Sequence, residues 1–488
     1  MRDLEWRLPG GWRLIAAALA ALGCDGSPNG PGVAQPQFNY RLAGGNEQTG
    51  PVSTELPVAL RVVVTANGAP VAGRPLEWVP SGGAAVVGST TTDAAGEARA
   101  TIRLGGVGTP SVTVRAAGDA SSATFSLRSV AASANPVLVG EVAIPPLYGI
   151  HDTYVRDGIA FVCAWNSGVI IYDVGDGRMG GSPSKPKEIS RLVTADNGVP
   201  GGAAVHNAWW FHNPNGEKRY LFIGQEGPAT LFNFASGDIH VVDVADLANP
   251  REVASLTIPG AGAHNFWMDE ASRTLYAAYY NGGVVALDVS GTLSGDLTSR
   301  IKARVTPGGP GNTFVWGVHL AGGSLWVSDI VSGFWRLDPA TLATLGGGGN
   351  VPERWGADLW IHGGFGYTGT WGGTARNGTG FGDAIKVWSL AGGGPTLVDS
   401  VIVPAVRTIS DLAVTDDGRW LVATTERLSG QGLYLYDLTI PAKPTLRGFT
   451  AVTTGLHTGT VARIGGRDYV FAAKNAADPQ LQVYDITP

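Results

Sequence analysis

Apolar and polar residues alternate in short runs through the first part of the chain. Runs such as LPVALRVVVTA and SVTVRAA place an apolar side chain at every second position, which is the period of a β-strand with one buried face. Turn signals such as NGAP and DAAGEA separate the runs. Long runs of Ala, Glu, Lys and Leu at helical spacing are missing. The pattern therefore predicts an all-β protein, with a β-sandwich over residues 36–128.

A longer period begins at residue 135. Seven short apolar strands end in an acidic or hydroxyl residue, and apart from the first interval these endings lie 45 to 51 residues apart. The endings are Asp173, Asp243, Asp288, Asp338, Ser389, Asp437 and Asp485. A period near fifty residues with about four strands per repeat is typical of a β-propeller. Residues 135–488 are therefore predicted to form seven blades, and the Asp carboxylates to accept hydrogen bonds from the turns that follow them.

The order of strands also predicts how the ring closes. The segment 135–145 has the form of an outermost strand, whereas the chain ends at LQVYDITP, which has the form of a third strand. The first segment is therefore expected to complete the last blade. This closure removes the exposed strand edges that an open array would carry.

Composition supports several domains built from short strands. The chain has 488 residues with 72 Gly and 15 Trp, and only 15% of its residues are charged. This length exceeds one ordinary core, and the profile is that of strands joined by Gly-rich turns. The net charge of −6 comes without a Lys/Arg cluster, which argues against nucleic acid as a partner. The presence of only two cysteines argues against a disulfide framework.

The N-terminal sequence has the features of a targeting signal. Arginines precede a short apolar run at 14–22, which ends close to Cys24. This segment resembles a bacterial lipoprotein signal, which implies a signal peptide over 1–24, a lipid on Cys24 and a flexible tether over 25–35. The expected location is the bacterial cell envelope, outside the cytoplasm, with the membrane as a partner through the lipid anchor. A plain secretory signal with an incidental cysteine is the alternative.

Two family resemblances agree with this organisation. The pieces NGAPVAGRPLEW and TTDAAGEARATIRLG resemble the invasin/intimin-type bacterial immunoglobulin-like domain, with Trp78 as its core tryptophan. The pieces HDTYVRDGIAFVCAWNSGVIIYDV and LYLYDLTIPAKPTLRGF resemble the LVIVD-repeat propellers, whose members are mostly bacterial surface or secreted proteins without an established common activity. The resemblances imply an immunoglobulin-like β-sandwich over 36–128 and a seven-bladed propeller over 135–488, and they imply little chemistry.

Four histidines share one position of the repeat. They occupy the start of the innermost strand in blades 1, 2, 3 and 7, which the ring closure makes neighbours. They are His151, His206, His264 and His457. Four imidazoles converging on a propeller axis are a candidate site for iron or copper. Histidine at this position also packs between blades while its nitrogens bond to neighbouring backbone, and both interpretations stay open.

Aromatic residues on insertions are candidates for partner binding, since loops on a rigid ring carry most binding functions. The candidates in blades 2 and 5 are Trp209, Trp210, Phe211, Phe232, Phe234, Trp371 and Phe381. The expected function is a lipid-anchored binding scaffold that presents one propeller face to a protein or glycan partner, without catalysis. The alternative is a metal-dependent oxidoreductase that uses the four histidines.

Overall fold

The computed structural model describes residues 37–51, 55–56, 58–87, 91–106, 108–130, 135–145, 149–198, 202–372, 381–475 and 478–487. Apart from one short 3-10 turn, the regular structure of these residues is β-strand, so the predicted all-β class is confirmed. The chain divides into two compact units, 1–130 and 131–488. Within the described ranges, no helix has the length and apolar character needed to cross a bilayer. The predicted signal peptide, the lipidation residue Cys24 and the tether lie outside the described residues.

The first unit contains two sheets and a short parallel pair. Its strands are β1 (Phe38–Gly44), β2 (Thr49–Pro51), β3 (Leu60–Ala66), β4 (Ala69–Pro70), β5 (Glu77–Pro80), β6 (Ala85–Val87), β7 (Glu97–Arg103), β8 (Ser111–Arg115), β9 (Ala123–Ser126) and β10 (Arg128–Val130). One sheet has the order β1-β3-β7-β6 with β4 at the side of β3, and the other has the order β5-β8-β9. Strand β10 pairs with β2 in parallel.

The two sheets of the first unit share one apolar core. Alternate residues of β3 are buried, with Leu60 and Val62 fully covered, and Val112 of β8 belongs to the same cluster. This alternation is the period-two pattern that the sequence displays. Trp78 is half-buried against this core, with its ring centroid 5.9 Å from that of Phe125.

In the described part of the second unit, seven antiparallel sheets follow one another, and we call them blades 1 to 7 in chain order. The chain enters with β11 (Val137–Ala143), which belongs to blade 7. Blade 1 contains β12 (Asp152–Arg156), β13 (Ile159–Cys163), β14 (Val169–Asp173) and β15 (Lys187–Leu192). Blade 2 contains β16 (Val205–Phe211), β17 (Tyr220–Gln225), β18 (Ile239–Asp243) and β19 (Arg251–Leu256). Blade 3 contains β20 (Phe266–Asp269), β21 (Thr274–Ala278), β22 (Val284–Asp288) and β24 (Ile301–Val305). The short β23 (Gly295–Asp296) pairs with β19, and a 3-10 turn at Thr298–Arg300 precedes β24.

The remaining blades repeat the same plan of four strands. Blades 4 to 7 contain β25 (Val315–Ala321), β26 (Ser324–Asp329), β27 (Gly333–Leu337) and β28 (Thr344–Gly347); β29 (Trp355–His362), β30 (Phe365–Trp371), β31 (Ala384–Ser389) and β32 (Thr396–Ile402); β33 (Thr408–Val414), β34 (Trp420–Glu426), β35 (Gly432–Asp437) and β36 (Thr445–Ala451); and β37 (Gly459–Ile464), β38 (Arg467–Lys474) and β39 (Gln480–Asp485), which β11 completes.

The middle strands of the blades are mostly apolar and buried because neighbouring blades cover both faces of the sheet. Every residue of β13, β14 and β17 is buried. The clusters that contain these strands include residues from the next blade, so the core lies between blades as well as within them. A fully buried strand reads as a continuous apolar run, in contrast to the alternation in the first unit.

The blades form a closed, propeller-like ring. The innermost strand of each blade contacts that of the next, and β12 of blade 1 contacts β37 of blade 7. Strand β11 pairs antiparallel with β39, with Val142 opposite Leu481. The hydroxyl of Thr458 donates a hydrogen bond of 2.6 Å to the carbonyl of His151 across the same junction. The prediction that the first segment completes the last blade is confirmed.

The Asp residues at the ends of the third strands hold the following turns, as expected. Each carboxylate accepts a hydrogen bond from the N–H two residues further on. The pairs are Asp173 with Gly175, Asp243 with Ala245, Asp288 with Ser290, Asp338 with Ala340, Asp437 with Thr439 and Asp485 with Thr487. The repeated Asp is therefore architectural.

Candidate metal centre and channel on the ring axis

The structure brings the four predicted histidines together. Each lies at or just before the start of an innermost strand, so ring closure makes the last one a neighbour of the first. The ring centroid of His151 lies 3.9 Å from that of His206 and 4.1 Å from that of His457, and His206 lies 4.2 Å from His264. The separations of these rings are those of side chains in direct contact. Whether they bind a metal stays a prediction.

Two carboxylates and a phenol join the histidines. The Oε2 of Glu226 lies 3.6 Å from the Nε2 of His151 and also 3.6 Å from that of His206. The Tyr280 hydroxyl donates a hydrogen bond of 2.5 Å to the other oxygen of Glu226. On the far side of the cluster, Glu426 accepts a hydrogen bond of 2.7 Å from the Nδ1 of His457.

Sequence reasoning missed these three side chains, although the repeat contains a signal for them. They share one position at the end of the second strand or within two residues after it, whose occupants in blades 1 to 7 are Trp165, Glu226, Tyr280, Ile330, Trp371, Glu426 and Asn475. Alignment of the second strands across the blades places both carboxylates at this one position, next to the shared histidine position.

The pair of His457 and Glu426 is charged. Burial alone lowers the pKa of His457, but the adjacent Glu426 carboxylate and its hydrogen bond outweigh this effect and raise that pKa to about 9. Burial raises the pKa of Glu426, yet the imidazolium brings it below its usual range. His457 is therefore protonated at neutral pH, and its Nε2–H points to the Nε2 of His151 at 2.8 Å.

The other three histidines are neutral. Burial and, secondly, the charge of His457 lower the pKa of His206 to about 3. Burial and the neighbouring imidazoles hold the pKa values of His151 and His264 well below the usual range. The Nδ1 of His264 donates a hydrogen bond of 2.6 Å to the carbonyl of Trp316, which leaves its Nε2 with a free lone pair. Neutral imidazoles with free lone pairs are good ligands for transition metals.

The donor set fits a transition metal. Ligand atoms of His151, His206 and Glu226 all lie within 4.8 Å of one another. Two ligands bound to one metal at about 2.1 Å are separated by about 3.0 to 3.4 Å, close to the 3.6 Å from the Oε2 of Glu226 to the Nε2 of His151 and to that of His206. The buried Nε2 of His206 has no hydrogen-bond partner among the described residues. A buried nitrogen without a partner is costly unless a ligand occupies its lone pair.

Further along the innermost strands, a polar layer follows the histidines. The residues directly after the shared position include Asp152, Asn207, Asn265, Asp358 and Asp411. The Asn265 amide donates a hydrogen bond of 3.0 Å to Asp358, and Asp411 accepts one of 2.8 Å from the backbone of Gly459 in the next blade. Burial and the Asp411 carboxyl hold the pKa of Asp358 well above its usual range.

A cavity of about 260 Å³ lies at this layer and extends along the axis to a group of aromatic rings. We call these rings the aromatic collar; its members are Tyr154, Trp209, Trp267, His319 and Trp360. They lie three residues beyond the shared histidine position in blades 1 to 5. Thus the histidine cluster, the polar layer and the aromatic collar follow one another along the inner strands.

The candidate partner-binding residues divide into three groups by their exposure. Trp210 and Phe211 are 5% and 2% exposed because blades cover both faces of β16, so the expectation that they contact a partner is wrong. Phe232, Phe234 and Phe381 are 39%, 43% and 49% exposed and stay available at the surface.

The remaining two candidates are half-buried. Trp209 belongs to the aromatic collar, where its ring centroid lies 5.2 Å from that of Tyr154. Trp371 packs against an apolar cluster that contains Trp316 and Tyr280. Trp209 therefore lines the axial cavity, whereas Trp371 is part of the apolar packing.

Fold and site together define an all-β, propeller-like protein with histidine and carboxylate side chains clustered on its axis. No family model matches the chain, and no curated protein matches it. Among solved structures, the crystal structure of the computationally designed Ika8 protein, in its crystal packing No.1 in P63, is similar over 69% of this chain and 84% of that chain, with 11% sequence identity and a TM-score of 0.43. The assignments to the LVIVD-repeat family and to immunoglobulin-like domains stay predictions.

Proposed function

We propose that the histidine cluster binds a redox-active transition metal, iron or copper, and that the protein is a metal-dependent oxidoreductase. One observation carries this proposal: ligand atoms of His151, His206 and Glu226 lie within 4.8 Å of one another, and the buried Nε2 of His206 has no hydrogen-bond partner among the described residues. A buried polar atom without a partner is costly, and a metal ion bound by these three side chains removes that cost.

The surroundings orient the proposed ligands. Glu426 holds the Nδ1 of His457, and the Trp316 carbonyl holds the Nδ1 of His264, so in both rings the Nε2 faces away from the orienting partner. Such outer partners fix the tautomer and raise the basicity of a ligating imidazole. A set of imidazoles with one carboxylate suits iron and copper, which supply one-electron and oxygen chemistry when bound.

A binding scaffold is the second candidate function. Phe232, Phe234 and Phe381 lie on the insertions of blades 2 and 5 and keep more than a third of their surface exposed. Exposed aromatic side chains at the rim of a rigid ring favour a protein or glycan partner. This function requires no metal, so the two candidates are separable by experiment.

The proposal includes the finer organisation of the chain. We propose that the first unit is an immunoglobulin-like sandwich, since its two sheets share one core. We propose that the second is a seven-bladed propeller of the LVIVD type, supported by its seven sheets and the pairing of β11 with β39. Anchoring through Cys24 outside the cytoplasm is proposed from the sequence of the N-terminus.

Metal analysis of the purified protein tests the function. The wild type, reconstituted with iron or copper and then desalted, is expected to retain one equivalent of metal by mass spectrometry. The double variant His206→Ala/His264→Ala is expected to lose it, whereas His362→Ala, which lies outside the cluster, retains it. A wild type that stays metal-free and is not stabilised by either metal would reject the oxidoreductase and favour the scaffold.

A further inference from the structure

The axial cavity contains a second candidate site, separate from the histidine cluster. Its lining includes Asp152, Asp358 and Asp411 at the polar layer and the aromatic collar beyond it. None of the four clustered histidines belongs to this lining. The cavity of about 260 Å³ has room for several water-sized groups, each with a share of about 30 Å³.

The carboxyls of the cavity lack a cationic partner in its lining. Arg156 is the one lysine or arginine of the described lining, and its guanidinium is committed to Glu270, with a nitrogen–oxygen distance of 2.5 Å. Asp358 instead accepts hydrogen bonds from the Asn265 amide and the backbone N–H of Leu412. Asp411 accepts one from the backbone N–H of Gly459. Carboxyls gathered in a shielded space repel each other when ionised, and a cation among them relieves this repulsion.

The aromatic collar supplies the second half of a cation site. The ring centroid of Trp209 lies 5.4 Å from that of Trp267, which lies 6.1 Å from that of Trp360. The planes of these pairs are inclined by 57° and 75°, so the collar presents ring faces as well as edges. A cation over the face of a tryptophan is attracted by the ring quadrupole, and more strongly when it is shielded from water.

We propose that this cavity binds a small organic cation of the alkylammonium class. The ammonium group lies among the aromatic rings with its charge toward Asp358 and Asp411. A small anion is disfavoured by the carboxyls. A calcium ion needs six to eight oxygen ligands and gains nothing from tryptophan faces.

Binding of choline to the full chain tests the proposal, with 3,3-dimethylbutan-1-ol as the matched neutral probe of the same shape. Choline is expected to quench tryptophan fluorescence saturably and to bind at least about tenfold more tightly than the alcohol, as a cation–π and carboxylate contribution near 1.4 kcal/mol implies. This comparison is made on the wild type and so does not depend on the folding of any variant.

Variants of the cavity and of the histidine cluster test where choline binds. Asp411→Asn is expected to weaken choline binding by about tenfold, and Asp416→Asn, an exposed carboxylate outside the cavity, to leave it unchanged. The metal-site variant His206→Ala/His264→Ala is expected to bind choline normally, which separates this proposal from the proposed function. Equal affinity for choline and the neutral alcohol would overturn it. So would the absence of choline binding, whether or not glucose or calcium chloride binds in its place.

Discussion

The Nε2 of His457 lies 2.8 Å from the Nε2 of His151, although 306 residues separate the two along the chain. The contact exists because β11 completes blade 7 and thereby makes the first and last blades neighbours. One of the two nitrogens must donate, and the Glu426 carboxylate, 2.7 Å from His457, makes His457 the donor. A metal that binds both nitrogens has to displace this proton, so we expect its affinity to fall as the pH is lowered.

Replacing Glu426 with Gln is expected to lower the affinity for metal by about 10- to 100-fold. The amide cannot supply the negative charge that raises the basicity of His457, and the ring loses its fixed orientation. Competitive titration against a chelator of known affinity measures the change. Glu188→Gln serves as the control because Glu188 is an exposed partner of Arg191 on an outer strand. An unchanged affinity in Glu426→Gln would show that this carboxylate does not support the ligand.

Much of the second unit could be predicted because it is periodic. The endings of the third strands recur at nearly constant spacing, and this spacing sets the blades, the closing pair of β11 and β39, and the shared position of the histidines. Glu226 and Glu426 were missed because most blades have a different residue type at their shared position, so a search for repeated residues does not reveal it. Only an alignment of the second strands, or the ring itself, brings this position to the histidines.

The error at Trp210 and Phe211 has a physical reason. In a sheet with one exposed face, alternate residues of a strand are exposed, and one of two adjacent aromatics would reach solvent. In a ring of blades both faces are covered, so six of the seven residues of β16 are buried. The alternation of apolar and polar residues along a strand therefore distinguishes surface from core in the first unit, but it does not in the second.

Replacing Gly283 with Ala is expected to destabilise the second unit by about 1–3 kcal/mol. Its φ is +83°, and a Cβ there would lie 1.9 Å from the carbonyl oxygen of Val305 on the neighbouring strand. Gly260→Ala is the matched control, since its φ is +74° and a Cβ there meets nothing within 4 Å. Urea unfolding of both variants separates the cost of the clash from the cost of the backbone conformation. Equal losses in the two variants would contradict a close approach at Gly283.

A disulfide between positions 141 and 482 is expected to lock the ring. Glu141 and Gln482 lie directly opposite each other on β11 and β39, and their side chains are joined by a hydrogen bond of 2.8 Å. In a Cys24→Ser background, Glu141→Cys/Gln482→Cys should oxidise spontaneously and raise the free energy of unfolding by about 2–4 kcal/mol, lost again on reduction.

The register of the closing pair supplies the control for this disulfide. Glu141→Cys/Leu481→Cys places the second thiol on the opposite face of β39, because adjacent residues of a strand point to opposite faces. Gel mobility under non-reducing conditions and thermal melts compare the two pairs. Cross-linking in the control but not in the facing pair would show that the register of closure differs from the one described.

The stack of His319 on Trp267 is expected to make the ring sensitive to acid. Their centroids lie 3.6 Å apart with planes 26° from parallel, and His319 is only 5% exposed. Burial lowers the pKa of His319 to about 3, whereas an unfolded histidine titrates near its usual value of 6.5. Between these values the unfolded chain binds a proton that the folded chain does not. The stabilisation present above pH 6.5 is therefore lost as the pH falls toward 3, by about 1.4 kcal/mol per pH unit.

His319→Phe keeps an aromatic ring against Trp267 and removes the titration. From pH 6 to pH 4, the free energy of unfolding of the wild type should fall by about 2.5 kcal/mol more than that of the variant, because every other titrating group is common to both. Urea unfolding at half-unit pH steps gives the two curves, compared as differences from their values at pH 7. Parallel curves would mean that the imidazole takes up its proton within the folded ring, and the collar would then be open enough at His319 to hydrate a charge.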